Sequence, residues 1–321
     1  MAAPTSEQEI LDREPVSDPS GTKKALLPRS LWAGVLMALL VTALLVGVIS
    51  ASRTRTASPE ASLPAGAADL PPAMRLVPAD VSAELRAQAI VRRDGFPMLR
   101  WDIDEFAQDK NGRMTYNGGA DFETGVDVSE HQYDIDWKKV AADGIDFAMI
   151  RMGYRGSTAG GLYVDEYFEK NVAGALAAGL PVGVYFYSQA ITPAEAEEEA
   201  DFLLEHIKDY DITYPVVFDW EIVGGEEART YSLSRADLVA CTRAFCDKVA
   251  EAGYEPMIYF TQYLGYRKYI LRNLSDYGFW YAQYEPQPHI AFHFDMWQYS
   301  ETGTVAGVDG SVDLNIRIIE H

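Results

Sequence analysis

The sequence predicts an α/β chain. Its main part is an irregular TIM-like (β/α) barrel of eight strands and about five helices, preceded by a transmembrane helix and a small β-rich extension. Three observations carry this. From Gly125 onward, short apolar runs alternate with helical stretches. Those runs are nearly continuous, as expected of parallel strands buried on both faces. Upstream, the run LWAGVLMALLVTALLVGVI at residues 31–49 carries no charge.

The elements follow in order. Residues 1–30 are polar and read as a cytoplasmic tail. The uncharged run spans roughly 28 Å as a helix, close to the hydrocarbon thickness of a bilayer. Residues 31–50 are therefore assigned as a membrane anchor. Arg13, Lys23, Lys24 and Arg29 precede it, and Arg53 and Arg55 follow. That bias favours an inside N-terminus and an extracytoplasmic bulk. A cleaved signal segment is the competing reading, and it would yield a secreted protein. Residues 51–80, rich in Ala, Pro and Ser, read as a linker. Residues 81–122 form the β-rich extension, with two strands expected around a polar turn at Asp109 to Gly112. Residues 123–321 form the barrel.

Within it, strands are predicted at 125–129, 145–153, 181–188, 214–222, 256–261, 278–284, 293–300 and 311–316. Helices are predicted at 136–143, 165–178, 193–208 and 234–252, with a shorter one near 262–271. Thr192 and Pro193 form an N-cap and first-position pair, and Gly179 and Gly253 stop two of the helices. The last three strands follow one another without obvious helices. Strand–helix repetition implies a parallel sheet, and eight strands suggest closure.

Composition narrows the function. A formal net charge of −21 argues against a nucleic-acid partner, which needs a basic surface. The two cysteines, Cys241 and Cys246, would lie about 140° apart around a helix, so buried free thiols are expected rather than a bridge. Five histidines without paired cysteines give no zinc pattern, so no metal and no cofactor are assigned. No phosphate-binding glycine loop and no G-x-S-x-G elbow occur.

The most informative stretch is TYPVVFDWEI, residues 213–222. It reads as a buried strand ending in Asp219 and Glu221, which share a face because side chains alternate along a strand. Neighbouring carboxylates push their pKa values apart, which suits acid-catalysed glycoside cleavage. In a parallel barrel the active site gathers at the C-terminal strand ends. There the first strand brings Asp127, Ser129 and His131, and the second brings Arg151. The third brings Tyr185 and Tyr187, the fourth Asp219 and Glu221, and the fifth Tyr259. The sixth brings Trp280 and Tyr284, the seventh Trp297 and Tyr299, and the eighth Asp313. Acids and aromatic rings around one mouth suit a sugar polymer, with rings stacking on pyranose faces.

These motifs resemble glycoside hydrolase family 25, the muramidase-type lysozymes, over roughly residues 124–319. GVDVSEHQYDIDWKKV, IDFAMIRMGY, DEYFEKNVAGALAAGLPVGVYFYS, FDWE, FWYAQY, WQYS and SVDLN stand in the family's order. The resemblance implies hydrolysis of the β-1,4 bond between N-acetylmuramic acid and N-acetylglucosamine in peptidoglycan, without a cofactor. It implies Glu221 as general acid/base and Asp219 as stabiliser of the 2-acetamido group or its cationic intermediate. Asp127 and Asp313 would line the cleft, and Tyr187, Tyr259, Trp280 and Trp297 would bind sugar. Tyr185 and Arg151 join them as binding residues by their strand positions. The expected partners are peptidoglycan glycan strands and, through residues 31–50, the cell membrane. The alternatives are a non-catalytic peptidoglycan-binding barrel and a chitinase-like glycosidase. The second is disfavoured because Tyr214 to Phe218 lack further acids.

Overall fold

The computed structural model describes residues 98–319. The expected tail, membrane anchor and linker lie outside them, as does the first part of the extension. Among the described residues no helix is long and apolar enough to cross a membrane.

The described residues open with a single helical turn at Ile103–Glu105 and a short antiparallel hairpin, β1 (Phe106–Gln108) and β2 (Met114–Tyr116). The barrel strands follow as β3 (Asp121–Val128), β4 (Phe147–Arg155), β6 (Val182–Ser188) and β7 (Val216–Trp220), then β8 (Pro256–Thr261), β9 (Gly278–Ala282), β10 (Met296–Gly303) and β11 (Val312–Ile319). A short β5 (Leu162–Val164) pairs antiparallel with the end of β4. Five helices lie between: α1 (Trp137–Ala142), α2 (Phe168–Ala177), α3 (Pro193–Ile207), α4 (Arg235–Glu251) and α5 (Gln262–Arg267). Thr192 caps α3 and Ser234 caps α4 through their hydroxyls.

The strands run β3–β4–β6–β7–β8–β9–β10–β11, and β11 returns to pair with β3, closing an eight-stranded barrel. The expectation of a parallel sheet needs one correction. β11 is antiparallel to both β10 and β3. Only residues 304–311 separate β10 from β11. A parallel return needs a crossover of about a dozen residues or more, so this short link forces reversal. Between β9 and β10 the longer stretch 283–295 manages a parallel return without a regular helix.

Strand parity sorts side chains into two cores. Phe147, Met149, Tyr185, Val217, Met257, Tyr259, Trp280 and Met296 fill the barrel interior. Their alternate neighbours, among them Val126, Ile150, Val184, Phe218, Ile258, Phe279 and Trp297, face the outer layer. Phe147 stacks on Tyr214 at 5.0 Å between centroids near the interior's N-terminal end. Gly125 makes room for the Phe147 ring: a Cβ there would stand 2.2 Å from it. Cys241 and Cys246 are free and buried in α4, as their spacing predicts.

Where helices are missing, residues 98–120 supply cover. Phe106 packs edge-on against Trp297 at 5.3 Å, and the Trp101 indole donates to the Phe294 carbonyl at 2.7 Å. Arg113 pairs with Asp143 at 2.7 Å. Burying a ring such as Phe106 contributes roughly 2 kcal/mol. The hairpin thus serves the apolar outer face of β10 as a helix serves the other strands.

Candidate active site

At the C-terminal ends of the parallel strands lies a polar cleft of about 430 Å³. Asp127, Asp219, Glu221 and Asp313 all line it. Asp219 ends β7 on the inward face, while Phe218 and Trp220 on either side point into the outer core. Glu221 sits just beyond the strand. Asp313 arrives differently. Because β11 is reversed, the residue lies near its start, where it stands opposite Asp127 of β3.

A hydrogen-bonded network holds these acids. The Gln298 amide nitrogen lies 3.1 and 3.0 Å from the two oxygens of Asp127 and 3.3 Å from Asp313 Oδ2. Its carbonyl oxygen accepts from the hydroxyls of Tyr259 and Tyr284, each at 3.0 Å. Asn315 donates to Asp127 Oδ2 at 2.7 Å and accepts from the Trp280 indole at 2.8 Å. Burial, reinforced by Glu221, Tyr284, Asp219 and Asp127, raises the Tyr259 pKa well above its usual value. Burial and the charges of Asp313, Asp127, Glu221 and Glu301 do the same for Tyr284. Both phenols therefore remain hydrogen-bond donors across the physiological range.

The turn after β3 is fixed by a capping box. Ser129 Oγ accepts from His131 N–H, and the Gln132 side chain accepts from Ser129 N–H at 2.9 Å. This sets Ser129, His131 and Gln132 on the cleft wall.

Of the expected binding residues, Tyr185, Tyr259 and Trp280 line the cleft with the four acids. They form its floor. Trp280 is buried between the edges of Tyr185 and Tyr259, at centroid distances of 5.9 and 5.1 Å. The ring that offers area at the rim is Tyr284, 45% exposed.

Three expected binding residues are not part of the cleft lining, although Tyr187 stands beside Asp219 in the register of β6 and β7. Trp297 is buried in the outer core, because on β10 Met296 and Gln298 take the inward positions. Tyr187 packs with Val223 and Tyr154. Arg151 is buried and ion-paired with Asp165 at 2.8 Å and Glu130 at 3.5 Å. Asp165 also accepts the Glu130 N–H at 2.9 Å, so this pair braces the turn that carries His131 and Gln132.

Sequence reasoning missed Gln298 and Asn315. The signal was present in strand parity, since Gln298 lies two residues from the inward Met296, and Asn315 two from Asp313.

The family profile described as Glycosyl hydrolases family 25 matches residues 126–308. The chain is 26% identical over 193 residues to the autolytic lysozyme of Clostridium acetobutylicum, covering 60% of this chain and 54% of that one. It is 26% identical over 208 residues to lysozyme M1 of Streptomyces globisporus, covering 60% and 66%. It thus spans about half the length of the first relative and about two thirds of the second. Among solved structures, a family 25 glycosyl hydrolase from Bacillus anthracis superposes with a TM-score of 0.53 at 22% identity, covering 64% of this chain and 93% of that one. The modular autolysin LytC of Streptococcus pneumoniae gives 0.53 at 24%, covering 69% and 52%. At those identities the structures speak to the fold alone. The family profile spans more than half of the sequence and encloses Asp127, Asp219 and Glu221, and on that match the chain belongs to glycosyl hydrolase family 25.

Proposed function

We propose that the barrel hydrolyses peptidoglycan, cutting the β-1,4 bond between N-acetylmuramic acid and N-acetylglucosamine. The observation that carries this reading is the meeting of Asp127, Asp219, Glu221 and Asp313 in one cleft. Glu221 stands at its open side, more exposed than Asp219, and so suits proton exchange with a bridging oxygen and with water. The Glu221 carboxyl donates its proton to the glycosidic oxygen as the bond to C1 breaks, and the leaving sugar departs as an alcohol. The neighbouring 2-acetamido oxygen bonds to C1. Asp219, held at the inward end of β7, stabilises the positive charge that forms. Glu221, now a carboxylate, takes a proton from water, whose oxygen attacks C1 and reopens the ring of the intermediate. One water is consumed and Glu221 regains its proton.

Placement outside the cell, anchored by residues 31–50, belongs to the same proposal. The uncharged run and the flanking basic residues support it.

Mass spectrometry of fragments released from defined peptidoglycan tests the chemistry. Soluble fragments with muramic acid at the reducing end are expected, and Glu221→Gln should abolish their release. Undiminished release by Glu221→Gln would sink the assignment. The anchor is tested by fractionation: full-length chain in the membrane fraction, with its barrel open to added protease, is the expected result. Recovery of the whole chain in the soluble cytosol would remove it.

A further inference from the structure

The ladder between β6 and β7 ends at the pair Ser188 and Trp220. One residue further, the Gln189 side chain continues what the backbone stops doing. Its amide nitrogen donates to the Glu221 backbone carbonyl at 3.2 Å and to the Ser188 carbonyl at 2.9 Å. Its oxygen accepts from the Thr230 hydroxyl at 2.9 Å. Gln189 is 0% exposed. Both amide hydrogens and one oxygen lone pair are thereby engaged, so the carboxamide has one fixed orientation.

We propose that Gln189 is a positioning residue for Glu221. It clamps the backbone of the acid between the β6 end and the loop that precedes α4.

The clamp is itself anchored. Glu199 of α3 lies behind Gln189, buried at 0% exposure, and accepts from Ser188 Oγ at 2.6 Å and Arg155 Nε at 2.7 Å. The Gln189 backbone N–H faces this carboxyl and works to lower its pKa. On the other side Arg229 donates to the Gln189 carbonyl at 3.0 Å and to Glu195 at 2.6 Å. Gln189 is thus held by side chain and carbonyl at once, while it touches Glu221 through the main chain. A buried amide with every group satisfied has little freedom to drift. What it restrains is where the Glu221 backbone leaves the strand, and so where its carboxyl can reach. Misplacement of a reacting group by about 1 Å can cost 100-fold in rate.

This inference rests on Glu221 as the proton donor, and the experiment separates the two. Gln189→Leu keeps the volume and removes the amide. Initial rates on solubilised peptidoglycan should show kcat lowered about 10- to 100-fold with KM within about twofold. The limb of the pH–kcat profile that reports Glu221 ionisation should also move. Thr230→Val, which frees the amide oxygen, should give a smaller shift of the same kind, and Thr230→Ser should restore the wild-type profile. Val172→Ala, in the buried face of α2 and bonded to none of the clamp residues, should lower stability and leave kcat of the folded protein unchanged. If Gln189→Leu does not fold, the Thr230 pair carries the test. A folded Gln189→Leu enzyme with unaltered kcat and pH profile would overturn the proposal, as would a Thr230→Val profile identical to wild type. Inactive Glu221→Gln beside such an unaffected Gln189→Leu enzyme would sink the clamp alone. Active Glu221→Gln would sink the underlying reading.

Discussion

Asp313 stands directly opposite Asp127 across the antiparallel pairing of β11 with β3, and the Gln298 amide reaches both. Two carboxylates on neighbouring strands repel, and a neutral donor shared between them offsets part of that cost. Gln298→Glu would add a third carboxylate to the same space and remove the donor. We expect stability to fall by about 2–4 kcal/mol and kcat/KM to fall by at least about 100-fold. Urea unfolding and initial rates check this. Wild-type values for both would show that the amide holds nothing.

Trp297 and Trp280 are both fully buried, yet they serve different faces of the barrel. Trp280 lies beneath the cleft, bonded to Asn315, whereas Trp297 packs under Phe106 of the hairpin and donates to the Gln283 carbonyl at 2.9 Å. Trp297→Ala should therefore cost about 3–5 kcal/mol of stability. Its specific activity per folded molecule, measured well below the unfolding midpoint, should stay within about threefold of wild type. Loss of activity without loss of stability would mean that Trp297 reaches substrate after all.

Much of this was legible because local rules agree with the fold. The apolar run Val216 to Phe218 ending in Asp219 could only be a buried strand with its acid at one end, and Asp127 and Glu221 followed from the same rule. β8 falls at 256–261 as predicted, between the helix stop at Gly253 and the Thr261 cap. The structure departs from expectation where two local cues compete. Trp297 carries a ring suited to sugar, but alternation from the inward Met296 turns it outward and brings Gln298 to the cleft. Tyr187 has inward parity and stands in register beside Asp219, with Tyr154 and Val223 packed against it. Arg151 lies mid-strand, because β4 runs on to Arg155, and Asp165 and Glu130 take its charge. The reversal of β11 follows from strand ends that only the structure supplies, since β10 runs on to Gly303 and leaves too short a link for a parallel return.

Glu199 makes the fold's stability depend on pH in a direction that can be checked. Its burial is the largest influence and raises its pKa from 4.5 to about 7, against the pull of Ser188, Arg155 and the Gln189 N–H. Arg155 remains charged. Burial works to lower its pKa, but Glu198 and Glu199 outweigh that. The Gly160 and Glu195 carbonyls accept from it as well. The folded chain therefore holds the Glu199 proton more tightly than the unfolded chain does. The resulting stabilisation is complete below pH 4.5 and is lost as the pH rises through 7. Glu199→Gln keeps the shape and cannot ionise. Relative to wild type, the variant should gain stability as pH increases from 4.5 to 7, by on the order of 3 kcal/mol at most. Denaturant unfolding of both proteins across pH 4 to 8 measures the gap. Parallel curves would show that folding leaves the Glu199 pKa unshifted, and a gap that grows toward acid would show that Arg155, not burial, governs it.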